Sequence, residues 1–384
     1  MIKKIVYLFY THVYDFEYEK YGLNLMKEKG IEVEAWSLEK LYFPNLSLEQ
    51  GCTVNGIETI YFAKWWSVFE RIMRQKRKET MFIFQLPVHS KQTSICQVLV
   101  KACGYKYCML YSQPYLSENT IGRLKYSRLV HIWWEDMINR VFSASYNFLA
   151  TKTNFLDFSS RAMIQRKNNV LIHTLDYDQY LNCNGIRRLV DEKYILFLDE
   201  YEPFHPEKEM LGLINSNQNA EKYYKELNCL FSIIEKKTGY KVVIAEHPRA
   251  HYEDKEEFLY GREHYRNETV RLVRDCEWVI THCSIAQDYV VLYDKPFLII
   301  YDDNIKNSEV WYRVYNPYQK MFDCAALKID EPYSWDDIKT KISHNKEDYD
   351  EFYHRYIRSG KSKQKLFFQI VYDIIVEGKK IGDE

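Results

Sequence analysis

Glycine is scarce in this chain, at 13 of 384 residues. Neither a Gly-x-x-x-x-Gly-Lys-Ser/Thr loop nor a Gly-x-Gly-x-x-Gly run occurs, so the common glycine-built phosphate cradles are excluded. Cysteine builds no framework either. The nine cysteines are scattered, and even the closest group, Cys96, Cys103 and Cys108, holds no Cys-x-x-Cys pair. An odd count at such spacing predicts reduced thiols in a cytoplasmic enzyme. A His-Glu-x-x-His run is missing and Asp302-Asp303 is not an Asp-x-Asp motif, so neither a metal nor another cofactor is expected. Excess charge is missing too. A formal net charge of -1 argues against a dedicated nucleic-acid binder. No apolar run approaches the length of a membrane span. The stretch Met1-Ile-Lys-Lys-Ile-Val-Tyr-Leu-Phe-Tyr10 has lysines ahead of apolar residues, as a secretory signal does. It is too short, lacks a small-residue cleavage site and runs into acidic residues, so it reads as a first strand.

What remains is a globular chain, 46% hydrophobic and 28% charged, long enough for two domains. Its 34 tyrosines fit a coding bias more than a function. Residues Lys3 to Tyr10 and Ile31 to Trp36 read as strands around a helix from Asp15 to Gly30, a parallel crossover. Met81 to Leu86, Tyr107 to Tyr111 and Asn147 to Thr151 read as further strands. After a connection near 180–192 the alternation restarts. Strands are expected at Tyr194 to Leu198, Lys241 to Ala245, Trp278 to Thr281 and Pro296 to Tyr301. Helices are expected at Asn219 to Lys237, Thr269 to Asp275 and Ile285 to Tyr293. The pattern predicts an α/β protein of two Rossmann-like doubly wound domains facing a central cleft, the GT-B arrangement. The resemblance of this arrangement to GT-B sugar-nucleotide enzymes implies that residues 1–180 bind the acceptor and 181–360 a nucleotide sugar. A helix in 361–384 would cross back to the amino-terminal domain.

The chemistry gathers where strands end. His247-Pro248-Arg249 follows a strand. The imidazole and the planar guanidinium suit a phosphate, and the proline stops the strand. A plain strand-to-loop corner would look similar. Thr281-His282-Cys283-Ser284 lies between a strand and a helix, where Ser284 would cap the helix and free backbone N–H groups would favour an anion. A simple cap is the equal alternative. Cys283 beside His282 is not read as a dyad, because neighbours on a strand point to opposite sides. Asp199 and Glu200 follow the first strand of the second domain, in Leu198-Asp-Glu-Tyr-Glu-Pro-Phe-His-Pro206. They could serve as a general base, bind a ribose or a metal, or form an acidic loop with a helix cap. Asp15 and Glu17, in the loop after the first strand, are alternative bases or merely an acidic first helical turn. Between Lys64 and Lys78, Trp65, Trp66 and Phe69 mix with basic residues on an expected helix. That face could dock on anionic lipid or be a helix with snorkelling bases. Trp133-Trp134 reads as core.

Together, His247-Pro248 and the Thr281 to Ser284 turn resemble the paired motifs of bacterial GT-B sialyltransferase-like enzymes. The run from Ser284 to Ile300 is similar to surface-polysaccharide biosynthesis proteins. The resemblance spans roughly residues 194–301. The family's acidic motif ends in glycine where this chain has Tyr201, and its turn has two serines where this chain has Cys283-Ser284. The resemblance implies an inverting glycosyltransferase of capsule, O-antigen or lipooligosaccharide synthesis. Its donor would be a nucleotide sugar, preferably a CMP-linked acidic sugar such as sialic acid, and its acceptor a glycan or lipid-linked glycan. Peripheral contact with the inner face of the membrane would accompany it. In this mapping His247 and Ser284 bind the phosphate, with Pro248, Arg249, Thr281, His282 and Cys283 forming the same wall, and Asp199 or Glu200 is the base. The alternatives are a UDP-sugar 2-epimerase of the same fold and a non-catalytic subunit of a polysaccharide assembly complex.

Overall fold

The computed structural model describes residues 1–47, 50–87, 90–111, 155–159, 169–202, 204–205, 219–284, 286–308, 310–358 and 365–379. The strand expected at Asn147 to Thr151, the pair Trp133-Trp134, and Pro203, Pro206 and Ile285 lie outside them.

The chain divides into two compact units. Strands of the first are β1 (Lys4–Phe9), β2 (Glu32–Ser37), β3 (Cys52–Val54), β4 (Ile57–Tyr61), β5 (Thr80–Gln85), β6 (Lys106–Tyr111), β7 (Phe155–Ser159) and β8 (Asn169–Leu171). They form one sheet in the order β3-β4-β2-β1-β5-β6-β7-β8. All neighbours are parallel except β3, which folds back on β4. The inner strands are apolar between their ends, as β1 (KIVYLF) and β5 (TMFIFQ) show, because helices cover both faces of a parallel sheet. The chain leaves β1 towards β2 on one side and resumes at β5 on the other, so the strand order reverses between β1 and β5.

The second unit repeats the plan with β9 (Tyr194–Leu198), β10 (Lys241–Glu246), β11 (His264–Arg266), β12 (Val279–Thr281), β13 (Phe297–Tyr301) and β14 (Leu327–Lys328). Their order, β11-β10-β9-β12-β13-β14, is wholly parallel. Renumbered within the unit this is 3-2-1-4-5-6, the doubly wound order whose switch point lies between β9 and β12. The helix Ala220–Thr238 covers one face, burying Tyr223, Leu227, Leu230, Phe231 and Ile234. Asn219 caps it by accepting the amide of Lys222, and Gly239 ends it in the left-handed region at φ 75°.

Two expectations change. The helix expected from Asp15 to Gly30 is two helices, Asp15–Lys20 and Leu23–Glu28, parted at Gly22 with φ 67°. The change of unit falls before residue 180, between Leu175 and Asp176. The helix Leu175–Asn182 is tied to the second unit by the Tyr289 hydroxyl on Asp176 (3.0 Å) and Arg274 on the Cys183 carbonyl (2.7 Å). At the other end, the helix Phe367–Ile375 returns to the first unit. Its Phe367, Phe368, Ile370, Val371 and Ile374 pack with Ile5, Tyr7, Leu23 and Ile83.

Candidate functional site

In a doubly wound sheet, ligands bind outside the carboxyl ends of the strands at the switch point. In the second unit that edge carries Asp199 to Glu202, Phe204 and His205 after β9, His247 to Arg249 after β10, Thr281 at the end of β12 with His282 to Ser284 after it, and Asp302 after β13. His247, Pro248 and Arg249 are half-buried. The backbone N–H of Arg249 donates to His247 Nδ1 at 3.2 Å. An amide can only donate, so Nδ1 is unprotonated and the neutral ring carries its proton on Nε2. In that tautomer the Nε2–H of His247 has donor polarity, the polarity a phosphate oxygen requires. Against its ring lies the buried His205, with centroids 4.5 Å apart and planes at 60°.

His282 is wired the opposite way. Its Nδ1 lies 3.1 Å from the Ile300 carbonyl, which can only accept, and its Nε2 lies 2.7 Å from the Tyr223 hydroxyl. The proton sits on Nδ1 and Nε2 accepts, so this buried histidine is committed to the core and not to a phosphate. Cys283 is buried beside it. Burial pushes its thiol well above the ordinary range, and Cys324 and Glu200 push it further, which leaves it inert as a nucleophile.

Ser284 is not the helix cap that the sequence suggests. The helix runs from Gln287 to Leu292 and its capping residue is Ala286. Cys283 takes a left-handed φ of 63°, which carries the chain through an extra turn before the helix can begin. Within that turn Ser284 Oγ accepts the Ala286 amide at 3.3 Å, and Thr281 Oγ1 accepts the Ser284 amide at 3.3 Å.

The acidic residues also sort by burial. Asp199 is only 4% exposed. Its Oδ1 accepts the Tyr201 amide at 2.9 Å and its Oδ2 the Tyr252 hydroxyl at 2.9 Å, and Tyr252 in turn meets the Tyr224 hydroxyl at 2.9 Å. Burial raises Asp199 to about 7 against the lowering by those two donors, with Glu200 and Glu246 adding to the rise. Both oxygens are thus used inside the unit, a poor arrangement for a base that must meet an acceptor. Glu200 remains half-buried. Tyr201 holds the position where the resembled family has glycine, and it does so at φ 55°. Its hydroxyl bonds the His251 carbonyl at 2.9 Å and its ring packs on Tyr252 at 5.1 Å, contacts that hold a side chain in a conformation glycine adopts without strain.

In the first unit the corresponding edge is the loop after β1. Asp15 is exposed, whereas Glu17 is buried and accepts the Tyr14 amide at 3.0 Å as part of a capping box. Beside these carboxylates stands His12, which the acidic pattern of the loop does not single out. That imidazole is half-buried, with Nδ1 3.1 Å from the Tyr61 hydroxyl and its ring 4.8 Å from Tyr14. Its position right after β1 was the available signal. In the aromatic–basic run, the helix Trp65–Met73 buries Val68 and Ile72 and leaves Trp66 65% and Met73 57% exposed. Arg71 is held by Glu34 and Glu58 and Arg77 by the Gly104 carbonyl, while Arg74, Lys76 and Lys78 are exposed. Among the described residues no helix is long and apolar enough to cross a membrane.

No protein-family model matches the chain, and no curated protein matches it in sequence. The backbone does find likenesses. A variant of the wall teichoic acid polymerase TagF soaked with CDPG superposes with a TM-score of 0.50 at 14% identity, over 98% of this chain and 90% of that one. S. aureus MnaA in complex with UDP gives 0.49 at 12% identity, over 97% and 96%. The calicheamicin glycosyltransferase CalG4 gives 0.49 at 8% identity, over 91% and 92%. With the two sheet orders above, the likeness to TagF makes the fold GT-B, two Rossmann-like domains in one chain.

Proposed function

We propose that this chain is an inverting, metal-independent glycosyltransferase of bacterial surface-polysaccharide synthesis. The observation that carries the reading is His247, an imidazole held with its N–H on Nε2 at the carboxyl edge of a doubly wound sheet. The donor is a nucleotide sugar, with a CMP-linked acidic sugar preferred on the motif resemblance. A hydroxyl of a glycan or lipid-linked glycan attacks the anomeric carbon, and the bond from that carbon to the phosphate oxygen breaks. The departing phosphate takes hydrogen bonds from His247 Nε2–H and Arg249. The acceptor proton goes to a carboxylate at the same sheet edge, where Glu200 is half-buried. Exposed Trp66 and Met73 with Arg74, Lys76 and Lys78 support peripheral contact with an anionic membrane.

A thermal-shift panel of CMP, CDP, UDP, GDP and TDP tests the donor, followed by turnover of the matching activated sugars. His247→Ala is expected to lower turnover by roughly 10²–10³ with an unchanged melting temperature. Near-normal turnover in that variant defeats the assignment. Glu200→Gln tests the base, with loss of turnover at unchanged nucleotide binding expected. The same fold also serves a UDP-sugar 2-epimerase, which would turn over its donor with no acceptor present. Failure of every nucleotide to bind would favour a non-catalytic assembly subunit.

A further inference from the structure

Asp199 takes no part in the transfer chemistry above, yet it is a buried carboxyl at the candidate site, and among the described residues no cation pairs with it. Its partners are neutral donors, the Tyr201 amide on Oδ1 and the Tyr252 hydroxyl on Oδ2, each at 2.9 Å. With the Tyr252 proton spent on Asp199, the Tyr224 hydroxyl must donate to Tyr252 across their 2.9 Å contact. The ionised form therefore uses every proton along this chain, whereas the neutral form avoids a buried charge. Burial raises Asp199 to about 7 against its two donors, so both forms are populated near neutral pH.

The fold also sets this carboxyl behind the wall of His247 and Arg249. The Asp199 amide donates to the Ala245 carbonyl at 3.0 Å, ahead of that stretch, and the carboxyl holds Tyr252 beyond it. The Tyr201 hydroxyl bonds the His251 carbonyl at 2.9 Å. Residues 245–252 thus leave β10 beside Asp199 and come back to it. Adjacent strands stand about 4.8 Å apart, so an anion held on this stretch lies on the order of 10 Å from Asp199. Glu200 on the same turn and Glu246 on β10 already face Asp199 and push it up. Arg262 lines the same hollow against the helix Ala220–Thr238 but is bound to Glu235 at 3.0 Å. Tyr201, Tyr252 and Tyr224 are raised by their own burial and stay neutral.

We propose that Asp199 links nucleotide binding at this edge to proton uptake: a nucleotide on the His247–Arg249 stretch draws a proton from solvent onto Asp199, and binds more weakly once that carboxyl is ionised. The phosphate charge opposes a carboxylate behind the wall, so ligand and proton favour one another. At pH 6 Asp199 is mostly neutral and binding has its full strength. Affinity falls as pH rises through about 7 and levels off where even the bound form has lost the proton. The proposal rests on the nucleotide-binding reading of this edge.

Titration calorimetry of the full-length protein tests it, with whichever of CMP, CDP, UDP, GDP and TDP stabilises the wild type most. Asp199→Asn keeps the side chain's shape and cannot ionise, so it stands for the neutral form. The two proteins should bind alike at pH 6, and the wild type about fivefold more weakly than the variant at pH 8. Measured in two buffers of different ionisation enthalpy at pH 7, the wild type should take up roughly 0.4 proton more than the variant. Protons gained by the phosphate or by histidines are common to both proteins and cancel in that difference. Tyr252→Phe removes a donor from the ionised form, so its fall in affinity should move to higher pH. A support that only shapes the loop would instead weaken binding equally at every pH. Parallel affinity profiles, or equal proton uptake in wild type and Asp199→Asn, overturn the proposal and leave the nucleotide-binding reading intact. If none of the five nucleotides binds, that reading fails and the linkage falls with it. Should Asp199→Asn not fold, an unmoved profile in Tyr252→Phe is the result that overturns it.

Discussion

Asp199 shows how far a side chain's setting can reverse what its type suggests. At the end of a central strand it reads as a base, yet it serves as the hub of a buried network with Tyr201, Tyr252 and Tyr224. Raised by burial to about 7, it binds its proton more tightly in the folded chain than in the unfolded one, where an aspartate titrates near ~4. Its contribution to stability is therefore complete below about pH 4 and is lost as pH rises through about 7. Asp199→Asn should flatten that part of the profile. The difference in unfolding free energy between wild type and variant should shrink from pH 4 to pH 8, by an amount on the order of a few kcal/mol. Chemical denaturation at the two pH values measures it, and parallel curves would contradict the buried titration. The histidines carry the same lesson. His247 and His282 both follow strands in the second sheet, and nothing in their spacing tells them apart. The partners that do so are the Arg249 amide, the Ile300 carbonyl and the Tyr223 hydroxyl, and two of the three are remote in the chain. Cys283→Ala should keep its activity within about twofold, since a buried thiol with a raised pKa takes no part in transfer. A large loss of turnover at unchanged stability would restore it to the site.

Among the elements, the inner strands were legible and the turns were not. Tyr194 to Leu198 is the strand that the apolar run suggests, residue for residue, because a strand buried on both faces needs such a run and little else. The helix from Ala220 to Thr238 was legible from its apolar stripe and its Asn219 and Gly239 ends. The three-residue β11 and two-residue β14 at the sheet edges were not, because strands so short hold no periodicity. Left-handed turns were hidden for another reason. This glycine-poor chain places Tyr201 and Cys283 where glycine would have announced them. Gly22 is the reverse case, a glycine seen but read through. At φ 67° it turns the chain between two short helices, and a Cβ there would come within 2.2 Å of Phe368 Cγ. Gly22→Ala should therefore cost at least about 2 kcal/mol, from the left-handed backbone and the overpacking together. The penalty should fall in a Phe368→Ala background, where the ring contact is gone and the backbone strain and the contact with the residue 368 Cβ at 2.6 Å remain. Denaturant unfolding of the four proteins reads the coupling, and a Gly22→Ala variant as stable as the parent would show that the helix Phe367–Ile375 does not lie against this turn.

For the molecule as a whole, two sheets of the same winding divide one chain, and the last helix sets the terms of that division. Both domains were readable from repeated strand–helix alternation, since each needs its own central parallel strands. Residues Asp176 onward build the second unit, so the first is left without part of its core until residues beyond 360 return to it. Phe367, Phe368, Ile370, Val371 and Ile374 are all less than 10% exposed there. At about 1.5–3 kcal/mol for each buried side chain of this size, the helix contributes on the order of 10 kcal/mol, as much as an entire domain's net stability. A chain ending at residue 358 should therefore lose the first unit and keep the second, whose sheet and cores it leaves whole. Calorimetry should show the transition of the first unit gone and the other within a few degrees of its full-length position, with the nucleotide that binds the intact protein still stabilising it. If the shortened chain melts with the same profile as the full-length protein, the terminal helix is no part of the first core. If it loses both transitions, the two units do not fold independently and the second depends on the first for more than its place in the chain.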